Sequence, residues 1–162
     1  MAMNNDLADR IAAFLAGHHV LSLATHGPDG PHAANLFYVC DGLALVWLSE
    51  PDTRHSLDVA ADARVAATIA PDYTDFTEIR GVQVFGSARR IVDVDERRHH
   101  LALLEARYPF LGRLKSGPPK LQEAYARASP YRLQPIRMVL IDNTIGFGHK
   151  ETIEFPLEGS AR

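Results

Sequence analysis

Along the chain, apolar residues follow first a helical rhythm and then a rhythm of two. Leu7, Ile11, Phe14 and Leu15 recur at i, i+4, i+7 and i+8, the stripe of a short amphipathic helix over residues 5–16 with Asn5 placed to cap it. From His19 the texture becomes extended. HVLSLAT, PHAANLFYVC and LALVWLS are separated by GPDG at 27–30 and by Asp41-Gly42. Asp-Gly between apolar runs is a strong hairpin signal, because both residue types tolerate positive φ. Three antiparallel strands in a meander are predicted.

Pro51 breaks that texture, and helix-compatible residues resume near Thr53, which predicts a short helix there. ARVAATIAP returns to strand. In RGVQVFGSARRIVD (80–93), Val82 and Val84 share one face and Gln83 and Phe85 the other, while Gly86 marks a bulge or a close backbone approach. VDERRHHLALLEARYP (94–109) is predicted helical, with Leu101, Leu104 and Tyr108 on one side and an end before Pro109. GRLKSGPPK is expected to be a loop and LQEAYARA a second short helix. YRLQPIRMVLID (131–142) is the last long strand, with Pro135 at an edge or bulge, and IDNTIGFGHKETIEF adds a final short one. About six strands, mostly consecutive and antiparallel with short helices between them, predict an α+β barrel, closed or nearly so.

Composition narrows the function classes. A chain of 162 residues is expected to form one domain, 1–162, with its core over about 7–150. Seventeen Lys and Arg against twenty Asp and Glu give a net charge of −3, so no basic surplus points to nucleic acid or an anionic membrane. The single cysteine, Cys40, excludes an intramolecular disulfide and any Cys-pair zinc or iron–sulfur site. It is expected to pack as a small hydrophobe. MAMNNDLADR has neither the basic nor the apolar part of a secretory leader, and no run approaches a membrane span. A cytoplasmic location is expected.

P-loop, GxGxxG, HExxH and GxSxG signatures are all missing. The most informative segment is Ser49-Glu50-Pro51-Asp52-Thr53-Arg54-His55, between a buried strand and a helix start. A hydroxyl, a guanidinium and an imidazole beside free helix N–H groups make a phosphate cradle; a capped helix with a surface arginine is the plainer reading. The pairs His18-His19 and His99-His100 lack chelating spacing, because adjacent side chains diverge, so no metal site is expected. His32 lies on a strand near Asn35, Phe37 and Tyr38. Trp47 is expected in the core, and Gln83 must find hydrogen-bond partners if buried.

The order of helix, meander, strand–TRH–helix step, ARVAATI and RGVQVFGSARRI resembles the pyridoxamine 5′-phosphate oxidase-like, FMN-binding split-barrel superfamily. ANLFY, TRHS, RGVQVFG and DNTIGFGHK resemble its YhbP-like branch most closely. The resemblance runs roughly from Leu7 to Lys150 and implies a homodimer with FMN between the subunits. Thr53, Arg54 and His55 stand where the oxidases carry a Ser-Arg-Lys phosphate grip. His55 there replaces a permanent cation with one that titrates. Trp47, Leu48 and Ser49, with Asn35, Leu36 and Phe37, match the strands along the flavin ring. The oxidases' glutamine, which reaches the flavin across the dimer, falls at Gly81, and Gln83 stands two residues on. The oxidases' C-terminal substrate-binding Trp and Arg-x-His pattern has no counterpart in DNTIGFGHKETIEF, which argues against pyridoxamine phosphate as the substrate. An FMN-dependent oxidoreductase acting on another small molecule is implied, with His32 and Tyr38 as the first acid–base candidates. The alternative is a non-catalytic dimeric barrel, a carrier, sensor or scaffold, holding flavin or haem. The deazaflavin F420 is a further substitute for FMN.

Overall fold

The alternating runs form seven strands of one antiparallel sheet, six of which close on themselves. In the computed structural model, which describes residues 2–156, these are β1 (Val20–Gly27), β2 (Gly30–Asp41), β3 (Ala44–Ser49), β4 (Arg64–Ile69), β5 (Arg80–Arg90), β6 (Ser129–Asp142) and β7 (Lys150–Glu154). Their order is β3-β2-β1-β4-β5-β6-β7, and an added β3–β6 pairing closes the first six into a barrel. Helices α1 (Ala2–Ala16), α2 (Arg54–Ala61), α3 (Val94–Arg107), α4 (Phe110–Ser116) and α5 (Pro119–Arg127) flank it. The architecture is the expected α+β split barrel. Its shortest ladder joins Ser22–Ala24 of β1 to Ala66–Thr68 of β4.

Strand β6 makes closure possible by changing partners along its length. Its first half, Ser129–Leu133, pairs with β3, and its second half, Arg137–Ile141, pairs with β7, while β5 runs beside both. The change falls at the irregularity between Phe85 and Gly86, where Gly86 faces Pro135. Pro135 has no N–H to give a ladder, and a Cβ on Gly86 would lie 2.1 Å from the Gln134 carbonyl oxygen, so both residues suit a bend. The bulge expected from sequence is here.

Alternation fills the barrel. Leu21, Leu23, Leu45, Trp47, Val82, Val84, Leu133 and Met138 point inward and are fully or almost fully buried. Helix α1 plugs one end with Leu7, Ile11 and Leu15. A second, smaller cluster lies outside the barrel, where Leu104 and Tyr108 of the α3 end and Leu111 of α4 cover Val39 and Val46.

Three local expectations change. The first helix starts at Ala2, so Asn5 lies inside it rather than at its cap. Asp41 is a paired strand residue opposite Ala44, and the turn is Gly42-Leu43 with only Gly42 at positive φ (60°). Most of GRLKSGPPK belongs to α4 and the start of α5 rather than to a loop. Gly112 is tolerated because Leu111 and Leu114 bury the helix against the outer cluster, packing overriding propensity.

Candidate functional site

The outer cluster leaves a groove at its edge. Asn35, Leu36 and Phe37 of β2 and Leu48 and Ser49 of β3 line one side of a cavity of about 300 Å³. Tyr108, Phe110, Leu114 and Tyr125 line it from the helices. Phe37 packs 5.3 Å from both Tyr108 and Phe110, and those two rings lie 5.5 Å apart. Aromatic faces at these separations attract one another and present a rigid apolar wall. Tyr108 is fixed by its hydroxyl, which donates to the Tyr38 carbonyl. Phe37 is left about half exposed, at 52%, a ring with one free side.

A polar cluster adjoins this wall through Ser49. Its Oγ lies 2.8 Å from Nε2 of the buried His55, and Thr53 Oγ1 is 3.1 Å from the same nitrogen. Thr53 precedes α2 but does not cap it with its side chain; its hydroxyl donates to the Glu50 carbonyl at 2.9 Å and lies 2.8 Å from Ser56 Oγ. Burial, with the nearby His32 ring, holds the His55 imidazole below its ordinary pKa, against the pull of Asp58. The rings of His32 and His55 lie parallel, 6.4 Å apart. His55 is therefore a neutral imidazole at pH 7 with two hydroxyls at one nitrogen.

Arg54 is held from below. Its Nε donates to Asp58 Oδ1 at 3.1 Å and its Nη2 to the Gly30 carbonyl at 3.2 Å. Asp58 is buried and also accepts from the Thr25 hydroxyl at 2.8 Å. Burial works against ionisation of Asp58, but the hydrogen bonds from Thr25 and Arg54 outweigh it and hold the carboxyl below its usual range. The carboxylate fits because residue 27 is glycine: a Cβ there would come within 1.9 Å of Asp58 Oδ1. Arg54 keeps the rest of its guanidinium for another acceptor, with Asp29 Oδ2 3.9 Å from Nη1.

The structure thus brings Asn35, Leu36, Phe37, Leu48 and Ser49 to one groove and joins His55 and Thr53 to it through Ser49, while the Arg54 guanidinium turns to Asp58 and the Gly30 carbonyl. Trp47 is elsewhere: its indole is fully buried inside the barrel, stacked on Tyr131 at 5.8 Å, because alternation on β3 turns it inward. Tyr38 also faces inward, its hydroxyl donating to the Leu15 carbonyl at 2.6 Å, and burial raises its pKa well above that of a free phenol. That geometry takes it out of acid–base work in the groove. Gln83 lies on the barrel exterior in the cross-strand row Asn35, Ser22, Thr68, Gln83. Three strand spacings, about 14 Å, separate it from Asn35. Sequence reasoning missed the wall from α4 and α5; the Leu104–Tyr108 stripe was the available signal. Outside the groove, the Nε2 atoms of His99 and His100 both approach Asp41, at 3.5 and 3.1 Å, a contact with another element that their spacing does not show.

A barrel closed by its sixth strand, with the polar start of α2 beside an aromatic groove on the outer face, defines a class of protein. The chain belongs to the pyridoxamine 5′-phosphate oxidase family, whose model matches residues 7–132. Within it the chain falls in the YhbP-like branch. It is 36% identical over 143 residues to a UPF0306 protein of Serratia proteamaculans (strain 568), covering 87% of this chain and 90% of that protein. It is 33% identical over 150 residues to the UPF0306 protein YhbP of Salmonella schwarzengrund (strain CVM19633), covering 90% and 91%. Among solved structures, a heme binding protein from Mycobacterium smegmatis superposes with a TM-score of 0.72 at 23% identity, over 91% of this chain. The chain spans 57% of that structure's length. HutZ, the heme storage protein from Vibrio cholerae, superposes with a TM-score of 0.63 at 16% identity, over 78% of this chain and 88% of that one. Among the described residues, no helix is long and apolar enough to cross a membrane.

Proposed function

We propose that this protein is a homodimeric FMN-binding oxidoreductase acting on a small molecule in the cytoplasm. One observation carries the reading: an apolar aromatic groove and a hydroxyl–imidazole cluster are contiguous, joined at Ser49, which lines the groove and contacts His55 at 2.8 Å, with Arg54 the neighbouring residue at the start of α2. A flavin ring on a phosphorylated chain has that same division between an apolar and an anionic end. Bound there, FMN would supply two-electron redox chemistry, and the protein would supply position and hydrogen bonds. Phe37 and Leu48 would pack against the ring, and Asn35 would offer it an amide. Thr53, His55 and the free edge of Arg54 would hold the phosphate.

A second copy fits the same reading. Gln83 is too far from its own groove to touch a ligand there, so any contact it makes with the ring comes from the partner chain. Between Asn35 and Gln83 the outer face carries Ser22, Ala24, Ala33, Ala66 and Thr68, uncharged and small enough for a close approach.

FMN titration followed by flavin fluorescence tests the proposal. Saturable quenching at one FMN per chain is expected. Arg54→Ala should weaken binding about ten- to a hundredfold, the loss of a charge-assisted contact of about 1.5–3 kcal/mol; unchanged affinity refutes the role of Arg54. The phosphate dianion should raise the depressed His55 pKa, so binding takes up a proton and strengthens as pH falls through the raised value. A haem-binding barrel is the second reading, favoured by the likeness of the fold to a heme binding protein and to the heme storage protein HutZ. A Soret band on adding haem, with FMN fluorescence untouched, would select it.

A further inference from the structure

Away from the groove, and sharing no lining residue with it, lies a polar cleft of about 600 Å³ between the start of α3 and the outer faces of β2, β5 and β6. We propose that Asp41, His99 and His100 in this cleft bind a divalent first-row transition-metal ion of the Zn²⁺ or Co²⁺ type. One oxygen or nitrogen from each residue lies within 4.8 Å of the others. A tetrahedral ion with bonds of about 2.0–2.2 Å sets its ligands about 3.3–3.6 Å apart. His99 Nε2 is 3.5 Å from Asp41 Oδ1, and His100 Nε2 is 3.1 Å from Asp41 Oδ2. His99, with its side chain 56% exposed, is free to make the remaining adjustment.

The buried histidine is already in the right tautomer. His100 Nδ1 lies 2.8 Å from the Glu96 carbonyl oxygen, which can only accept, so Nδ1 carries a proton and Nε2, the nitrogen beside Asp41, is the one left to take a metal ion. A backbone carbonyl that accepts from the other ring nitrogen orients metal-bound imidazoles in this way. Two imidazoles and a carboxylate suit zinc, cobalt or nickel better than calcium or magnesium. Three protein ligands leave a position for water.

Arg132 now stands where the ion would sit. Its Nη1 donates to Asp41 Oδ2 and lies 3.1 Å from His100 Nε2, so a cation already bridges the same two groups. Its Nη2 also contacts Gln134 Oε1 at 3.3 Å, an alternative anchor if the guanidinium is displaced. The ion and Arg132 therefore compete, and removing Arg132 should strengthen binding. Neither prediction depends on the flavin reading.

The test is Co²⁺ titration of the full chain by visible absorption, with Zn²⁺ displacing the signal. One Co²⁺ per chain is expected, with intense visible bands of a low-coordinate site. His99→Ala, at an exposed position where folding is not at stake, should weaken binding roughly tenfold or more. Arg132→Met should bind more tightly than the wild type. Three results overturn the proposal: no saturable band in the wild type, a His99→Ala variant that titrates like the wild type, or looser binding by Arg132→Met.

Discussion

Replacing Gly27 by alanine tests how the polar end is held. The new methyl would meet Asp58 Oδ1 at 1.9 Å and Cγ at 2.7 Å, but Asp58 Cβ only at 3.5 Å. The first two distances are impossible and the third is an ordinary contact, so the carboxylate must leave while the helix backbone can stay. Asp58 then loses the Thr25 hydroxyl and Arg54 Nε. Hydrogen bonds to a charged group contribute about 1.5–3 kcal/mol each, and Arg54 is partly solvated, so about 3 kcal/mol of stability should be lost. Asp58→Ala removes the same two bonds and should cost a similar amount. The double variant is the decisive one: with no carboxylate to displace, Gly27→Ala should add less than about 0.5 kcal/mol to Asp58→Ala. Urea unfolding at pH 7 of the wild type, both single variants and the double gives the cycle. Additive losses, or a Gly27→Ala protein as stable as the wild type, would refute the claim that Gly27 exists to admit Asp58.

Two other expectations follow from the same geometry. Gly86→Ala puts a methyl 2.1 Å from the Gln134 carbonyl oxygen; because the obstacle is backbone, β5 and β6 must part, and a loss of at least about 2 kcal/mol in urea unfolding is expected. Arg10 grips Glu151 with its two terminal guanidinium nitrogens, at 2.8 and 2.6 Å, and ties α1 to β7. That bond, helped by His149, lowers the Glu151 pKa from 4.5 to about 2. The unfolded chain then takes up the proton first, so this stabilisation is present above about pH 4.5 and disappears toward pH 2. Acid unfolding of Glu151→Gln should differ from the wild type above that window and converge with it at the bottom.

What was legible in the sequence was whatever a two-residue or four-residue period encodes. The strands of the meander, the bulge at Gly86 and the helix stripe ending at Tyr108 all express local alternation, and all seven strands pair close to where the pattern put them. The α4 helix was hidden because its support is not local: Leu111 is buried by Val39 and Val46 of the sheet, while its own segment carries Gly112 and runs into Gly117 and two prolines. The histidine pair shows the same limit. Adjacent side chains on a helix do diverge, but the Asp41 carboxylate, 59 residues from His100 in the chain, lies close to both, and spacing within one element cannot reveal a partner from another. Trp47 illustrates the converse, since family position put it along a ring while alternation already turned it into the core.

The packing of the barrel also decides where any cofactor could go. Trp47, Tyr131, Leu133 and Met138 are buried across its interior, so a flavin or a haem has to lie outside, against a strand face. In one chain that face is sheltered on a single flank, by Tyr108, Phe110 and Tyr125 from α3–α5. The other flank, toward Ser22, Ala24 and Thr68, is open sheet with side chains too small to make a wall. An exposed flavin edge loses affinity and lets water reach the reactive ring. On the proposed reading, the partner chain is therefore part of the site: it supplies the missing wall, and Gln83 stands three strands from its own groove because it serves the groove of the other subunit. Gln83→Ala should then weaken FMN binding without weakening the dimer, which fluorescence titration and sedimentation measured on the same samples would separate.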